Sequence, residues 1–152
     1  MENLQQVIAD LLNNQGLGVL ATSAAGHPYT TLVGFTAAEG LREIYFATHR
    51  STRKFANLQK DERVSLLIDN RSNRAEDFRH AAALSATGTA HEIPREDQEK
   101  WKKTFLKKHP MLKDFVTAPS CALFCISVQR YSLVQRFQDV VELDVDDLDS
   151  LS

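Results

Sequence analysis

The sequence has few of the features that mark membrane, secreted or nucleic-acid-binding proteins. No apolar run in it approaches the roughly 20 residues that span a bilayer. The first 16 residues lack the basic start and the unbroken apolar stretch of a signal peptide. The formal net charge of -2 indicates no broadly basic surface for nucleic acid. We therefore expect a cytoplasmic protein that binds neither membranes nor nucleic acid.

Several motifs of enzyme and metal sites are also missing. There is no G-x-G-x-x-G turn, no phosphate loop with Gly-Lys-[Ser/Thr], and no G-x-S-x-G nucleophile elbow. The five histidines form no i, i+4 pair, so we predict no metal site. Cys121 and Cys125 are four residues apart in a strand-like segment and would share one strand face. We predict two buried thiols rather than a disulfide or a metal site.

What is present is a series of short strands interrupted by helices. Helical spacing of apolar residues before Gly16 predicts a helix over 2–14. Strands are predicted at 17–22, 29–37, 43–48, 63–69 and 81–93, and the short links between them favour an antiparallel meander. Gly88 indicates a bulge or a close backbone approach. The segment 121–137 is long for one strand, so we predict two strands with a bend near 129–130.

Two further helices are predicted, and the C-terminal segment is acidic. Residues 52–60 form one helix, and 95–108 form another that begins with Pro94 at its N1 position. In the second helix Trp101 and Phe105 share a core face. Its lysines, Lys102, Lys103, Lys107 and Lys108, are expected on the solvent face, with contact to a phosphate-bearing substrate or an acidic partner as the alternative. We expect one domain over 1–138, followed by an acidic tail over 139–152, and a β-rich α+β barrel or sandwich with flanking helices.

The junction between the third strand and the second helix concentrates hydroxyl and basic residues. Thr48 ends the strand, Ser51 or Thr52 caps the helix, and Arg53 and Lys54 follow at once. A helix N-terminus presents unpaired N–H groups and a positive dipole end, which suit a phosphate. An arginine fork and a lysine ammonium add charge. Two interpretations fit these residues: an anion clamp, or a capped helix start with solvated charges.

Three segments in order give a resemblance to a known family. They are "GHPYTTLVGF", "EIYFATHRSTRKFANLQKDERVSLLID" and "SATGTAHEI". Together they are similar to the FMN-binding split-barrel family, the pyridoxamine 5′-phosphate oxidase-like proteins. The family pattern matches Ala47-Thr48, Thr52-Arg53-Lys54, Asn57-Leu58 and residues 61–67. The resemblance covers residues 15–93 well and the last strands more loosely.

The resemblance implies a fold, a cofactor and an assembly. The fold is a six- to seven-stranded antiparallel split β-barrel with flanking helices. FMN is the cofactor, bound at the subunit interface of a homodimer in which the partner completes each site. The implied FMN-binding residues are Thr30, Thr31, Leu32 and Val33 beside the flavin ring, and Thr48, Ser51, Thr52, Arg53 and Lys54 at the phosphate. His49 and Arg50 are expected at the solvated edge, with a contact from His49 to the phosphate as the alternative.

Departures from the family pattern argue against vitamin B6 oxidation. Pyridoxamine phosphate oxidases proper resemble one another in an Arg-Pro-x-x-Ser segment, which this sequence lacks, and a flavin-contacting glutamine is replaced by apolar residues near 82–83. We expect an FMN-dependent oxidoreductase that acts on a small-molecule substrate or electron donor. One alternative is a non-catalytic flavin-binding or electron-carrier module. Another is a haem-binding or haem-utilisation protein in which His109 is the axial ligand, although a polar residue at a helix end is the simpler interpretation of His109.

Overall fold

The computed structural model describes residues 3–151 and the side chains of 3–148, and these residues form seven strands and five helices. The strands are β1 (Leu17–Ala24), β2 (His27–Ala37), β3 (Glu43–His49), β4 (Arg63–Asp69), β5 (Ala82–Glu92), β6 (Cys121–Gln135) and β7 (Asp139–Asp144). The helices are α1 (Leu4–Asn14), α2 (Arg53–Lys60), α3 (Asp77–His80), α4 (Gln98–Lys108) and α5 (Lys113–Thr117). Short 3₁₀ segments lie at Arg95–Asp97, Pro110–Leu112 and Val145–Leu151. Position 2, the predicted start of the first helix, lies outside the described residues.

The strands form one antiparallel sheet that closes on itself. Its order is β3-β2-β1-β4-β5-β6-β7, and an additional pairing of β3 with β6 closes a barrel of six strands. The seventh strand, β7, pairs with the second half of β6 outside the closed barrel. The predicted β-rich α+β barrel of six to seven antiparallel strands with flanking helices is therefore confirmed.

The strand β6 corrects one prediction and confirms another. The segment predicted as two strands is one continuous strand, Cys121–Gln135, because its two ends pair with different neighbours and each is held in register. The predicted irregularity remains as a bulge, since Thr87 pairs with Arg130 while Gly88 pairs with Val128. A Cβ placed on Gly88 would overlap the backbone oxygen of Ser127, so the close backbone approach predicted there is present.

The acidic C-terminal segment is ordered in the structure. Asp139–Asp144 forms β7, and Arg130 on β6 contacts the Asp144 carboxylate at 3.1 Å. Beyond it, Val145 and Leu148 are buried in the main core, and Arg42 donates to Asp146 at 2.8 Å. This segment therefore packs against the barrel through at least Leu148, with Val145 and Leu148 inside and Val140 and the acids outside.

Two apolar clusters hold the barrel and its helices. The larger fills the barrel, where Phe46 and Phe124 stack with ring centroids 5.3 Å apart, and α1 covers one end with Ile8 and Leu12. The smaller cluster lies under α4, whose Trp101 and Phe105 are buried as predicted. Pro94 is not at N1 of α4, because the 3₁₀ turn Arg95–Asp97 separates it from the helix. None of the described helices is long and apolar enough to cross a membrane.

Candidate functional site

A hydroxyl pair fixes the turn between β3 and α2. Thr52 is the N-cap of α2, and its side-chain oxygen accepts a hydrogen bond from the Phe55 amide at 3.3 Å. The hydroxyls of Thr52 and Thr48 lie 2.8 Å apart, and the Thr52 hydroxyl also donates to the His49 carbonyl at 2.9 Å. Thr48 is 1% exposed, so its hydroxyl faces the protein. Its position makes it a support for the helix start.

Arg53 and Lys54 open the helix without a carboxylate partner. Among the described residues, neither has an acidic oxygen within 4.0 Å, whereas Arg42, Arg50, Arg63, Arg71, Arg130 and Arg136 each have one. Arg53 is exposed, and its guanidinium carbon lies 5.5 Å from the centre of the Tyr29 ring. Lys54 is half-buried, and burial lowers the pKa of its ammonium group. Ser51 is exposed beside them.

Arg50, three residues before Arg53, has a carboxylate partner. Its two terminal nitrogens donate to the Glu92 carboxylate at 3.2 and 2.6 Å, and this hydrogen-bonded pairing raises its pKa. His49 contacts the Ser120 hydroxyl at 3.1 Å and packs edge-on against Phe115. The structure thus separates the basic cluster into two groups. Arg50 and His49 contact neighbouring protein groups, and Arg53 and Lys54 remain available.

The predicted ring-flanking residues lie on an open part of β2. Residues 27–34 of β2 pair with β1, but β2 pairs with β3 only over 35–37. Among the described strands, none pairs with the other edge of Thr30, Thr31, Leu32 and Val33, so part of their backbone N–H and C=O groups face outward there. Thr30 and Leu32 are exposed, Thr31 is half-buried, and Val33 points into the core.

The structure joins this edge to the start of α2. Tyr29, at the end of the open stretch, contacts Arg53, and Asn57 of α2 donates to the Thr22 hydroxyl on β1 at 3.0 Å. Sequence patterns did not single out Tyr29, because its neighbour Arg53 is brought to it by the fold and not by spacing along the chain. The structure therefore brings the start of α2 beside Tyr29 at the open edge of β2, while Thr30 and Leu32 point to the other face of that strand.

On the other face of β2 from Tyr29 lies an outer sheet face, whose centre is uncharged and whose margins carry Arg63, Asp69, Arg130, Glu142 and Asp144. We define the outer sheet face by exposed or half-buried residues that point away from the core: Leu17, Val19 and Ala21 on β1, Thr30 and Leu32 on β2, Ser65 and Leu67 on β4, Ala83 and Ser85 on β5, Ser132 and Val134 on β6, and Val140 on β7. Leu17 and Leu32 are 62% and 64% exposed, respectively. Exposed leucines grouped on one sheet face are typical of a surface that another protein covers.

His109 and Lys108, at the end of α4, are bound to the protein. His109 is 8% exposed, and its Nε2 donates to the Phe35 carbonyl at 2.7 Å. The Lys108 ammonium donates to the Leu12 carbonyl at 2.8 Å and lies 4.1 Å from the centre of the Phe35 ring. Burial lowers the pKa of Lys108 to about 8. The prediction that Lys108 lies on the solvent face is wrong, because its chain reaches inward to cap α1.

The two cysteines are free thiols on the outer face of β6. Both are half-buried, so the prediction of buried thiols is correct only in part. The Cys125 thiol donates to the Glu43 carboxylate at 3.3 Å, and burial raises its pKa to about 12. Burial also raises the pKa of Cys121. Neither thiol has the low pKa that marks a reactive nucleophile.

The closed antiparallel barrel, with its basic helix start beside an open strand edge, defines the class of split-barrel proteins. The chain belongs to the pyridoxamine 5′-phosphate oxidase family, whose profile matches residues 4–135. No curated protein matches this chain in sequence.

Solved structures with the same fold have different described ligands. A haem-binding protein from Mycobacterium smegmatis matches with a TM-score of 0.81 and 17% identity, over 98% of this chain and 59% of that one. A protein related to general stress protein 26, from Clostridium acetobutylicum, matches with a TM-score of 0.75 and 14% identity, over 97% of this chain and 99% of that one. A FAD-binding protein from Mesorhizobium loti matches with a TM-score of 0.68 and 16% identity, over 84% of this chain and 91% of that one. At these identities the likeness establishes the fold alone.

Proposed function

We propose that this protein binds FMN through the start of α2 and the open edge of β2, and that it is an FMN-dependent oxidoreductase. The observation that carries the proposal is the unpaired basic pair. Arg53 and Lys54 lie at a helix N-terminus with no carboxylate within 4.0 Å among the described residues, and burial disfavours the charge on Lys54. A phosphate there would neutralise both side chains and accept hydrogen bonds from the helix N–H groups.

The open β2 edge supports a flavin rather than a bare phosphate. The ring system of a flavin is flat, apolar on its faces, and carries donors and acceptors along one end. The backbone of Thr30–Val33 offers groups that match such an end, and Leu32 offers apolar surface beside it. Tyr29 joins this strand to Arg53. In this arrangement Thr48 acts through the Thr52 cap, and Ser51 donates from the exposed loop.

We further propose that two copies of the chain associate through the outer sheet face. The centre of this face carries aliphatic and hydroxyl side chains without charge, and it adjoins the open β2 edge through Thr30 and Leu32, so a partner seated there would also cover a flavin on that edge. A shared site of this kind excludes water and leaves one face of the ring for a small-molecule substrate or electron donor. When bound, FMN supplies the electron chemistry, and the protein supplies orientation and charge.

The sharpest test compares FMN with riboflavin, which has the same ring system and no phosphate. Flavin fluorescence quenching or calorimetry gives both dissociation constants. We expect FMN to bind at least roughly tenfold more tightly, since hydrogen bonds to charged groups contribute about 1.5–3 kcal/mol each. Equal affinity for the two flavins, or no FMN uptake at saturating concentration, would contradict the proposal.

The dimer is tested with a matched pair of lysine substitutions. Leu32→Lys places a charge in the outer sheet face, and Met111→Lys places one at an equally apolar, exposed position on the connection between α4 and α5. Light scattering should show a dimer for the wild type and for Met111→Lys, and a monomer with weakened FMN binding for Leu32→Lys. A Leu32→Lys variant that is still a dimer would show that the dimer interface lies elsewhere on the protein.

A turnover assay distinguishes an FMN-dependent oxidoreductase from a non-catalytic electron-carrier module. Oxidation of NADH or NADPH by the FMN-loaded protein supports an oxidoreductase, and bound FMN that no nicotinamide donor reduces supports the carrier. Haem binding through His109 is not favoured, because its Nε2 is bonded to the Phe35 carbonyl inside the protein. A haem titration of the wild type and of His109→Ala checks this directly.

A further inference from the structure

A second basic site lies on the other side of the loop that precedes α2. A cavity of about 280 Å³ opens between this loop, the beginning of α4 and the connection from α5 to β6. Arg50, Arg95 and Lys102 are its charged residues, and none of its lining residues is acidic. Its other walls are Gln98, Leu123, Cys121 and residues 116–119.

The charges around this cavity are incompletely balanced. Among the described residues, Arg95 and Lys102 have no carboxylate within 4.0 Å, and only Arg50 has one, Glu92, which points from β5. Arg95 and Lys102 line this small space with charges that no described carboxylate offsets, whereas Glu92 offsets the charge of Arg50, so an anion that enters is attracted mainly to Arg95 and Lys102. The guanidinium group of Arg95 and the ammonium group of Lys102 can donate to the several oxygens of a phosphate or carboxylate.

A cysteine in the cavity wall, Cys121, can be used to detect the charge around it. The Cys121 thiol is half-buried in its wall, and both Lys102 and Arg50 act electrostatically on it, opposing the effect of burial. A negatively charged group that approaches the thiol must therefore enter the field of the same cations.

The cavity is distinct from the proposed FMN site. Arg50 reaches toward Glu92 and this cavity, whereas Arg53 reaches toward Tyr29 on β2. We propose that this cavity is a second oxyanion site, which binds a phosphate or carboxylate group of a small molecule through Arg95 and Lys102, with Arg50 held beside them by Glu92. The proposal does not depend on FMN binding.

The first test uses anions in a chain that lacks the first basic pair. In an Arg53→Ala/Lys54→Ala background, inorganic phosphate and malonate are titrated separately at low salt, and amide chemical shifts are followed. We expect saturable shifts at Lys102 and Cys121 with at least one of them, and the tighter anion identifies the preferred oxygen group. Lys102→Gln should weaken binding roughly tenfold, the scale of one lost charge-assisted hydrogen bond. Lys103→Gln, on the exposed neighbour outside the cavity, should not.

The second test uses the thiol and keeps Arg53 and Lys54. In a Cys125→Ser variant Cys121 is the remaining cysteine, because the sequence has two. A dianionic disulfide reagent should label it faster than a neutral one, after both rates are normalised to a free thiol. Phosphate or Lys102→Gln should remove that preference, and Lys103→Gln should leave it intact. Absence of saturable binding by both anions, or equal effects of Lys102→Gln and Lys103→Gln, would overturn the proposal.

Discussion

Two basic pairs at opposite helix ends show how similar residues serve different purposes. Arg53 and Lys54 begin α2, and Lys108 and His109 close α4. In the second pair each side chain donates to a backbone carbonyl, Leu12 for the lysine and Phe35 for the histidine. In the first pair neither side chain has a carboxylate partner among the described residues. A basic pair with internal partners stabilises the fold, and one without them is suited to a ligand.

The largest expected effect is on FMN affinity, when Arg53 and Lys54 are both removed. Arg53→Ala/Lys54→Ala should weaken FMN binding roughly 100-fold, since two charge-assisted contacts are lost. Unfolding by denaturant should show little change, because neither residue has a charged partner to leave behind. Calorimetry and urea titration measure the two quantities. Arg50→Ala is the matched control and should leave FMN affinity nearly unchanged.

Substitution in the second pair, Lys108 and His109, should change stability and leave FMN affinity nearly unchanged. His109→Ala leaves the buried Phe35 carbonyl without its donor and opens a small cavity, so we expect a loss of about 2 kcal/mol in unfolding free energy. FMN affinity should stay within roughly twofold once the protein is folded. His109→Gln, whose amide can still donate, should recover part of the loss. A stable His109→Ala protein with impaired FMN binding would erase the contrast between the two pairs.

The hydroxyl support under the free pair should have an intermediate effect. Thr52→Ala removes the cap of α2 and a partner of the buried Thr48 hydroxyl, which should cost about 1 kcal/mol. Ser51→Ala, one residue earlier and exposed, should change stability by less than about 0.5 kcal/mol. Thermal unfolding of the two variants gives the comparison. Equal stability would mean that the helix start is fixed by other contacts.

The smallest effect is a pH dependence from Lys108. Its pKa is lowered to about 8 in the folded state, from 10.5, so the unfolded state binds more protons between these values. Stability should therefore gain a contribution that rises with pH from about 8, worth less than about 1 kcal/mol after solvent screening. Lys108→Met should remove this slope, and Lys107→Met should not. The measurement should be made between pH 7 and 9. At higher pH the Cys125 thiol loses its proton in the unfolded state but keeps it in the folded state, because folding raises its pKa, and this lowers the stability of the fold.

Local patterns in the sequence were sufficient for much of this fold. Strand alternation and helix spacing predicted β1 to β5 and the helices α1, α2 and α4, and Gly88 predicted the bulge, because these signals depend on neighbouring residues alone; β7 and α3 were not predicted. The path of β6 was not predictable in this way. Whether residues 121–135 bend or run straight depends on which strands pair with each half.

The kind of site could be predicted from the sequence, but not which of its basic residues bind other groups of the protein. The order Ser51-Thr52-Arg53-Lys54 predicted a helix start suited to an anion. The neutralisation of Arg50 depends on Glu92, which is 42 residues away in the chain. The inward reach of Lys108 depends on the end of α1, 96 residues away. Such partners are set by tertiary structure, which local spacing does not contain.

The closure of the barrel by β6 also has a consequence for synthesis of the chain. The first two-thirds of the sequence contain β1 to β5, yet β3 finds its second neighbour only when residues 121–127 are available. Until then β3 exposes an unpaired edge, and Phe46 lacks its stacking partner Phe124. A chain that has left the ribosome only through α4 would therefore expose an open sheet, and chaperone capture or misassembly is favoured at that stage.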